Sequence, residues 1–239
     1  MKEYIHTIPV LEALRDPKNC AFCVMHKRIE EHAIQFIMGP AYMEDDIRME
    51  TNKIGFCHTH MESMYKEQNR LGLALMLHTH IQQLNKDITA IINAKASSPL
   101  FGKDTTSPLA KMQSYLDKSI NSCYVCKKVE HNFALYMGTF LYLWNKGGEE
   151  SQLIKDQKSY CLPHLTHLVA TATEKLSRGK RERFIDEIVK PQLANMKQLE
   201  EDVEWFTLKF DHRNADQPWK NAKDAIPRAL AMFGSTKEF

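Results

Sequence analysis

Every cysteine in this chain belongs to one pattern that is written twice. Cys20-Ala-Phe-Cys23 is followed by Phe56-Cys57-His58-Thr59-His60, and Cys123-Tyr-Val-Cys126 is followed by Tyr160-Cys161-Leu162-Pro163-His164. The gap between the second cysteine and the third is 33 residues in the first copy and 34 in the second. Three thiolates and one imidazole are the donor count of a closed tetrahedral zinc site. The matched gaps predict one site per copy: Cys20, Cys23, Cys57 and His60 in the first, and Cys123, Cys126, Cys161 and His164 in the second. In C-x-x-C and in C-x-x-H the two donors lie about one helical turn apart, so each motif is a pincer that can reach a single ion.

Both kinds of pincer are read at helix N-termini. There the unpaired backbone N–H groups and the positive end of the dipole lower a thiol pKa and support the negative charge of a Zn(Cys)3(His) centre. Pro163, in the first turn after Cys161, fits that placement, because its missing N–H would have no partner there anyway. A dithiol redox motif of the thioredoxin kind wants a strand before C-x-x-C, which is not read here, and it leaves C-x-x-H unexplained twice. Zinc is preferred to an iron–sulfur cluster because most clusters take four thiolates.

Other histidines compete for the first site. His26 continues the three-residue spacing of Cys20 and Cys23, and His58 adds a nitrogen beside Cys57, but the matching positions of the second copy are Val129 and Leu162. His60 is therefore the expected ligand, with His26, His58 and His167 as outer or surface groups. His78 and His80 are two apart on a helix and point in different directions, which argues against a shared ion. Methionines at helical spacing, such as Met61 and Met64, are read as core filler rather than copper ligands, and Met43 and Met49 likewise.

Periodicity and the scarcity of glycine, nine residues, predict an all-α protein: an internally duplicated helical bundle with a C-terminal helical extension. An entry helix over Ile8 to Leu14 precedes the Asp16-Pro17-Lys18-Asn19 turn, and a helix from Cys23 stops at Gly39-Pro40. A helix over Ala41 to Thr51 and a turn at Asn52 to Gly55 lead to one long helix from Cys57 towards Ile92. The second copy repeats this order: an entry helix over Leu109 to Ile120, a helix from Cys123 to Trp144, a break at Lys146-Gly147-Gly148, a short helix, and Cys161 at a helix start. Ser177-Arg178-Gly179-Lys180 reopens the chain before a helix over about Glu182 to Phe210, bent at Pro191. The predicted domains are 1–93, a linker at 94–108 rich in Ser, Thr and Pro, 109–178, and a C-terminal region 179–239. Within that region Lys209, Asp211, Arg213, Asn214 and Trp219 form an unrepeated polar and aromatic stretch, which serves either as a binding edge or as an anchor for the last helix.

Composition excludes several function classes. A net charge of +2 over 32 basic and 30 acidic residues gives no basic stripe for phosphate backbones, so no nucleic-acid partner is implied. No uncharged apolar run approaches the roughly 20 residues of a membrane span, and the first ten residues lack a signal-peptide core. A cytoplasmic protein is expected, and in that reducing compartment paired cysteines serve more often as metal ligands or redox groups than as disulfides. No phosphate loop, nucleophile elbow or H-E-x-x-H helix is found, so catalysis is not the expected role.

The repeated C-x-x-C, amphipathic helix, aromatic-Cys-x-x-His and following apolar residues (Met61 and Met64, Leu165 and Leu168) resemble a group of helical bacterial proteins of unknown function. The resemblance runs from about Cys20 to Leu176, and Lys-Phe-Asp-x-Arg-Asn at 209–214 is similar as well. It implies metal ligation by Cys20, Cys23, Cys57, His60, Cys123, Cys126, Cys161 and His164, and it implies no reaction. The expected protein is thus a metal-binding interaction or regulatory module holding two structural zinc ions, with an unidentified protein or small-ligand partner. The alternatives are an iron–sulfur or open-site metal redox protein or enzyme, and a zinc–thiolate redox sensor with releasable metal.

Overall fold

The structure, a computed structural model, describes residues 5–16, 20–93, 107–157 and 159–234. Among the described residues there is no strand, and the all-α expectation holds. The first helices are α1 (Thr7–Leu14), α2 (Ala21–Met38), α3 (Asp45–Ile54), α4 (His58–Lys66) and α5 (Arg70–Asn93). They are followed by α6 (Pro108–Ile120), α7 (Tyr124–Lys146), α8 (Gly148–Lys155) and α9 (Leu162–Lys175), then α10 (Arg178–Phe184), α11 (Lys190–Leu208) and α12 (Ala225–Met232). Most of the expected linker, residues 94–106, lies outside the described residues, as does the Pro17-Lys18-Asn19 part of the first turn. Among the described residues no helix is long and apolar enough to cross a membrane.

Three sequence expectations are corrected by backbone detail. The long helix read from Cys57 to Ile92 is two helices, because Gln68 takes a left-handed conformation at φ 63° and stops α4. Asn69 then opens α5: its side-chain oxygen accepts from the Gly72 N–H at 2.9 Å, while its amide donates to the Met38 carbonyl at 2.7 Å. The stretch from Ala41 to Thr51 divides into a 3-10 turn (Pro40–Met43) and α3, and α3 runs on through Ile54, so the turn narrows to Gly55. Arg178, Gly179 and Lys180 lie inside a helix rather than in a break. The chain stays helical from Arg178 to Leu208, passing through one π turn (Ile185–Val189). That wide turn sits where Pro191 would crowd the carbonyl four residues back and cannot donate to it, so the ladder widens there.

The described chain forms two compact units, one made of Met1–Lys27 with Phe133–Phe239 and the other of Arg28–Asn132. Each unit draws on both copies of the sequence motif. In the first, Phe22, Phe140, Trp144 and Tyr160 are almost wholly buried, with Val10, Leu14 and Ile154 beside them. The Trp144 indole N–H donates to Glu187 at 2.9 Å, and Phe184 packs edge-on against the ring. In the second unit Ile37, Phe56, Met64, Met76 and Tyr124 form the core. Burying side chains of this size contributes about 1.5–3 kcal/mol each. Met64 and Met76 are filler, as their helical spacing implied, whereas Met43 and Met49 lie on the surface.

The unrepeated stretch at 209–219 spends its polar groups locally. Lys209 is buried, and its ammonium donates to the carbonyls of Asn214, Ala215 and Gln217 at 2.6–2.8 Å while lying 5.3 Å from the Trp219 ring centroid. Trp219 packs on Phe206, and Trp205 donates to the Pro218 carbonyl at 3.0 Å. These contacts match the anchor rather than the binding edge. They pin the chain that leads to α12, where Arg228 meets the buried Asp202 at 2.9 Å.

Candidate metal centres

All four pincers lie at helix N-termini. Cys20 directly precedes α2 and Cys23 lies in its first turn; Cys123 and Cys126 stand in the same relation to α7. Cys57 and Cys161 are the N-cap residues of α4 and α9, which places His60 and His164 in the first turn of each.

The pincers do not close within their own copies. Cys20, Cys23, Cys161 and His164 form one cluster and Cys57, His60, Cys123 and Cys126 the other, with the donor atoms of each set within 4.8 Å of one another. The expected sets thus exchange partners. All eight predicted residues are used, but the first C-x-x-C meets the second C-x-x-H and the reverse. A gap counted in residues does not reveal which C-x-x-H each C-x-x-C meets.

Local bonds hold each exchanged pair. Before Cys57, Gly55 takes φ 69° and ψ −157°; its carbonyl accepts from the Tyr124 N–H at 2.9 Å, and the Ile54 carbonyl accepts from the Ser122 hydroxyl at 2.6 Å. The rings of Phe56 and Tyr124 meet at 6.3 Å. In the other cluster Tyr160, the residue before Cys161, packs on Phe22 at 5.2 Å. Its backbone is gripped by the buried Gln192, which accepts from the Tyr160 N–H at 2.8 Å and donates to the Tyr160 carbonyl at 3.0 Å. Gln192→Ala strands both backbone groups, and each buried unsatisfied group costs about 1–3 kcal/mol. Urea unfolding should show a loss of about 2–4 kcal/mol for this variant. A loss below about 0.5 kcal/mol, the usual effect of a surface change, would mean the grip is unimportant.

The distances are within the reach of one ion. With Zn–S about 2.3 Å and Zn–N about 2.0–2.1 Å, a regular site has S–S edges of about 3.8 Å and S–N edges of about 3.6 Å. Cys23 Sγ lies 3.6 Å from Cys161 Sγ, and His164 Nδ1 lies 3.0, 3.3 and 3.9 Å from Cys161, Cys23 and Cys20. Cys57 Sγ lies 3.9 Å from Cys126 Sγ, and His60 Nδ1 lies 3.2, 3.3 and 3.4 Å from Cys57, Cys123 and Cys126. None of the six cysteines is in a disulfide. The donor sets fit a closed four-coordinate ion, held through Nδ1 in both clusters.

The outer shells differ. His60 Nε2 lies 2.8 Å from Glu30 Oε1, a carboxylate–histidine pair of the kind that orients metal ligands. His164 instead packs among Phe133 at 5.2 Å, His26 at 6.0 Å and Phe22 at 6.2 Å. His26 is thus an outer neighbour, as expected. His58 is exposed and faces Glu62, and His167 is exposed and touches Phe133 edge-on. His78 is exposed, whereas His80 is buried and bonds through Nδ1 to the Asn52 carbonyl at 2.8 Å; the two do point apart.

The electrostatics of both clusters call for positive charge. Burial pushes the Cys126 thiol up to about 12, with the adjacent Cys123 adding to it. Burial acts on Cys123 in the same sense, but the hydrogen bond with His60 and backbone N–H groups outweigh it and bring that thiol down to about 6. The bond to Cys123 in turn lifts His60 to about 9 against the effect of burial. Burial lowers His164 too, yet its bonds to Cys161 and Cys20 leave it raised to about 9. Hydrogen bonding to Cys161 lowers Cys20 and raises Cys23. A thiolate stabilised by an imidazolium is a protonic stand-in for a thiolate on a cation, and a divalent ion meets the same demand for all four donors at once.

Glu30 and Gln192 were missed by sequence reasoning. Glu30 lies ten residues after Cys20 and is half-buried, but nothing local marks it as a partner of His60. Gln192, beside Pro191, carries no motif at all.

Comparison with known proteins adds no reaction to this site. No curated protein and no solved structure matches the chain. The model of a family of unknown function, DUF6062, matches residues 1–238. With both cysteine–histidine clusters inside that match, the chain belongs to the DUF6062 family.

Proposed function

We propose that the protein is a zinc-binding helical module in which two Cys3His ions tie helix starts together, and that it acts through interaction or regulation rather than catalysis. One observation carries the reading: twice over, three sulfurs and one nitrogen converge within 4.8 Å of one another, close enough for one tetrahedral zinc ion. Four protein donors fill a tetrahedron and leave no position for substrate, which favours a structural ion over a catalytic one. A cytoplasmic setting is the companion proposal, since unpaired thiols in such number persist where the compartment is reducing. An unidentified protein partner is proposed with it. In its support, α4 and α5 present an open groove in which Met61, Tyr65, Leu73 and Leu77 are flanked by His58, Glu62 and Lys66.

Elemental analysis of natively purified protein tests the reading. About two zinc per chain in a colourless protein is the expected result. A brown protein, purified without air and absorbing at about 400 nm, would replace zinc by an iron–sulfur cluster. Metal-free protein with all six thiols reactive would end the reading.

A further inference from the structure

The two clusters are built from the same four donor types, so any difference in how firmly they hold metal must come from what surrounds the donors. The sequence copies allow a direct comparison. Ten residues after Cys20 stands Glu30, and ten after Cys123 stands Phe133. Each of these faces the histidine of a cluster. Glu30 meets His60 Nε2 at 2.8 Å, while the ring of Phe133, buried at 8% exposure, lies 5.2 Å from that of His164. Equivalent positions thus hold a carboxylate in one centre and a phenyl group in the other.

The chemical consequence follows from the histidine's two nitrogens. A carboxylate on Nε2 keeps the proton there, leaves the Nδ1 lone pair directed at Cys57, Cys123 and Cys126, and makes it a stronger donor. A phenyl ring constrains the imidazole by packing but offers no lone pair to an N–H in its plane. We propose that Glu30 is a positioning residue that makes the Cys57/His60/Cys123/Cys126 centre the tighter of the two, so that metal leaves the Cys20/Cys23/Cys161/His164 centre first. This rests on the zinc reading above and deepens it by ranking the sites. Loss of such outer carboxylates lowers metal affinity by about 10–100-fold.

The test uses the zinc-loaded full chain, titrated with a chelator and pulsed with iodoacetamide, with each cysteine's alkylation read by peptide mass spectrometry. In the natural protein Cys20, Cys23 and Cys161 should become labelled at lower chelator concentrations than Cys57, Cys123 and Cys126. In Glu30→Ala, the threshold for Cys57, Cys123 and Cys126 should fall by about 10–100-fold and that for the other three should stay. Glu30 is partly exposed on a helix and alanine is a good helix former, so the variant keeps the fold, which an unchanged circular dichroism spectrum of the zinc-loaded form verifies. Unmoved thresholds in the variant, or the reverse order of labelling in the natural protein, would overturn the proposal. Natural protein that carries no zinc and labels at every cysteine before chelator is added would instead strike the zinc reading itself.

Discussion

Protein stripped by a strong chelator is expected to lose helicity in one cooperative step and to regain it when zinc is returned. Two helices that start at the centres are too short to be stable alone: α4 has nine residues, below the roughly 12–15 at which isolated helices become even marginal, and α9 has 14, within that range. Their ends are held by ligands far apart in sequence, so an ion at each centre closes a long loop that is otherwise entropically open. Structural zinc binding is worth about 10–16 kcal/mol at pH 7, comparable with the whole stability of a domain at about 5–15 kcal/mol. Far-UV circular dichroism with and without chelator, followed by thermal melting, reads the outcome. An unchanged spectrum and melting temperature after complete stripping would remove the structural role of the metal.

Gly55→Ala is expected to destabilise by about 3–5 kcal/mol, well beyond the typical point mutation. The backbone at φ 69° and ψ −157° lies in a region essentially restricted to glycine, at a cost of about 1–3 kcal/mol for another residue. A Cβ built there would sit 2.5 Å from His80 Nε2 and 2.7 Å from Cε1. His80 cannot simply swing aside, because it is buried and its Nδ1 bonds the Asn52 carbonyl; forcing it out loses that bond, about 1–3 kcal/mol more. Gly147 provides the control. Its φ of 81° and ψ of −170° are similar, but nothing lies within 4 Å of a Cβ there, so Gly147→Ala should pay only the backbone cost. Chemical denaturation of the two variants side by side separates the contributions. Equal losses would show that His80 contributes nothing to the glycine requirement. The consequence reaches the metal centre, because the Gly55 carbonyl receives the Tyr124 N–H and Phe56-Cys57 follows directly.

The eight residues that gather into the two clusters were singled out in the sequence, because soft donors at i and i+3 after a turn have few other uses and the pattern occurs twice. The helical class was equally plain from periodicity, and the stop at Gly39-Pro40 and the break at Gly147-Gly148 fell where turn chemistry places them. How they divide between the clusters was not legible. Residue gaps of 33 and 34 measure contour, whereas closure depends on how far each helix carries the chain and in which direction. Gln68 illustrates a second kind of miss: a left-handed glutamine breaks a helix without any glycine or proline to announce it. Pro191 illustrates a third, where the chain stays helical through a π turn that periodicity does not announce. Glu30, Gln192 and His80 act through side chains brought from distant sequence, which no local pattern encodes.

The exchange of pincers is most directly tested by removing one ligand and asking which thiols lose their protector. In zinc-loaded Cys161→Ala, treated with iodoacetamide and mapped by peptide mass spectrometry, Cys20 and Cys23 should become reactive while Cys57, Cys123 and Cys126 stay protected. Labelling of Cys123 and Cys126 instead, with Cys20 and Cys23 spared, would show that each copy closes on itself and would contradict the crossed centres.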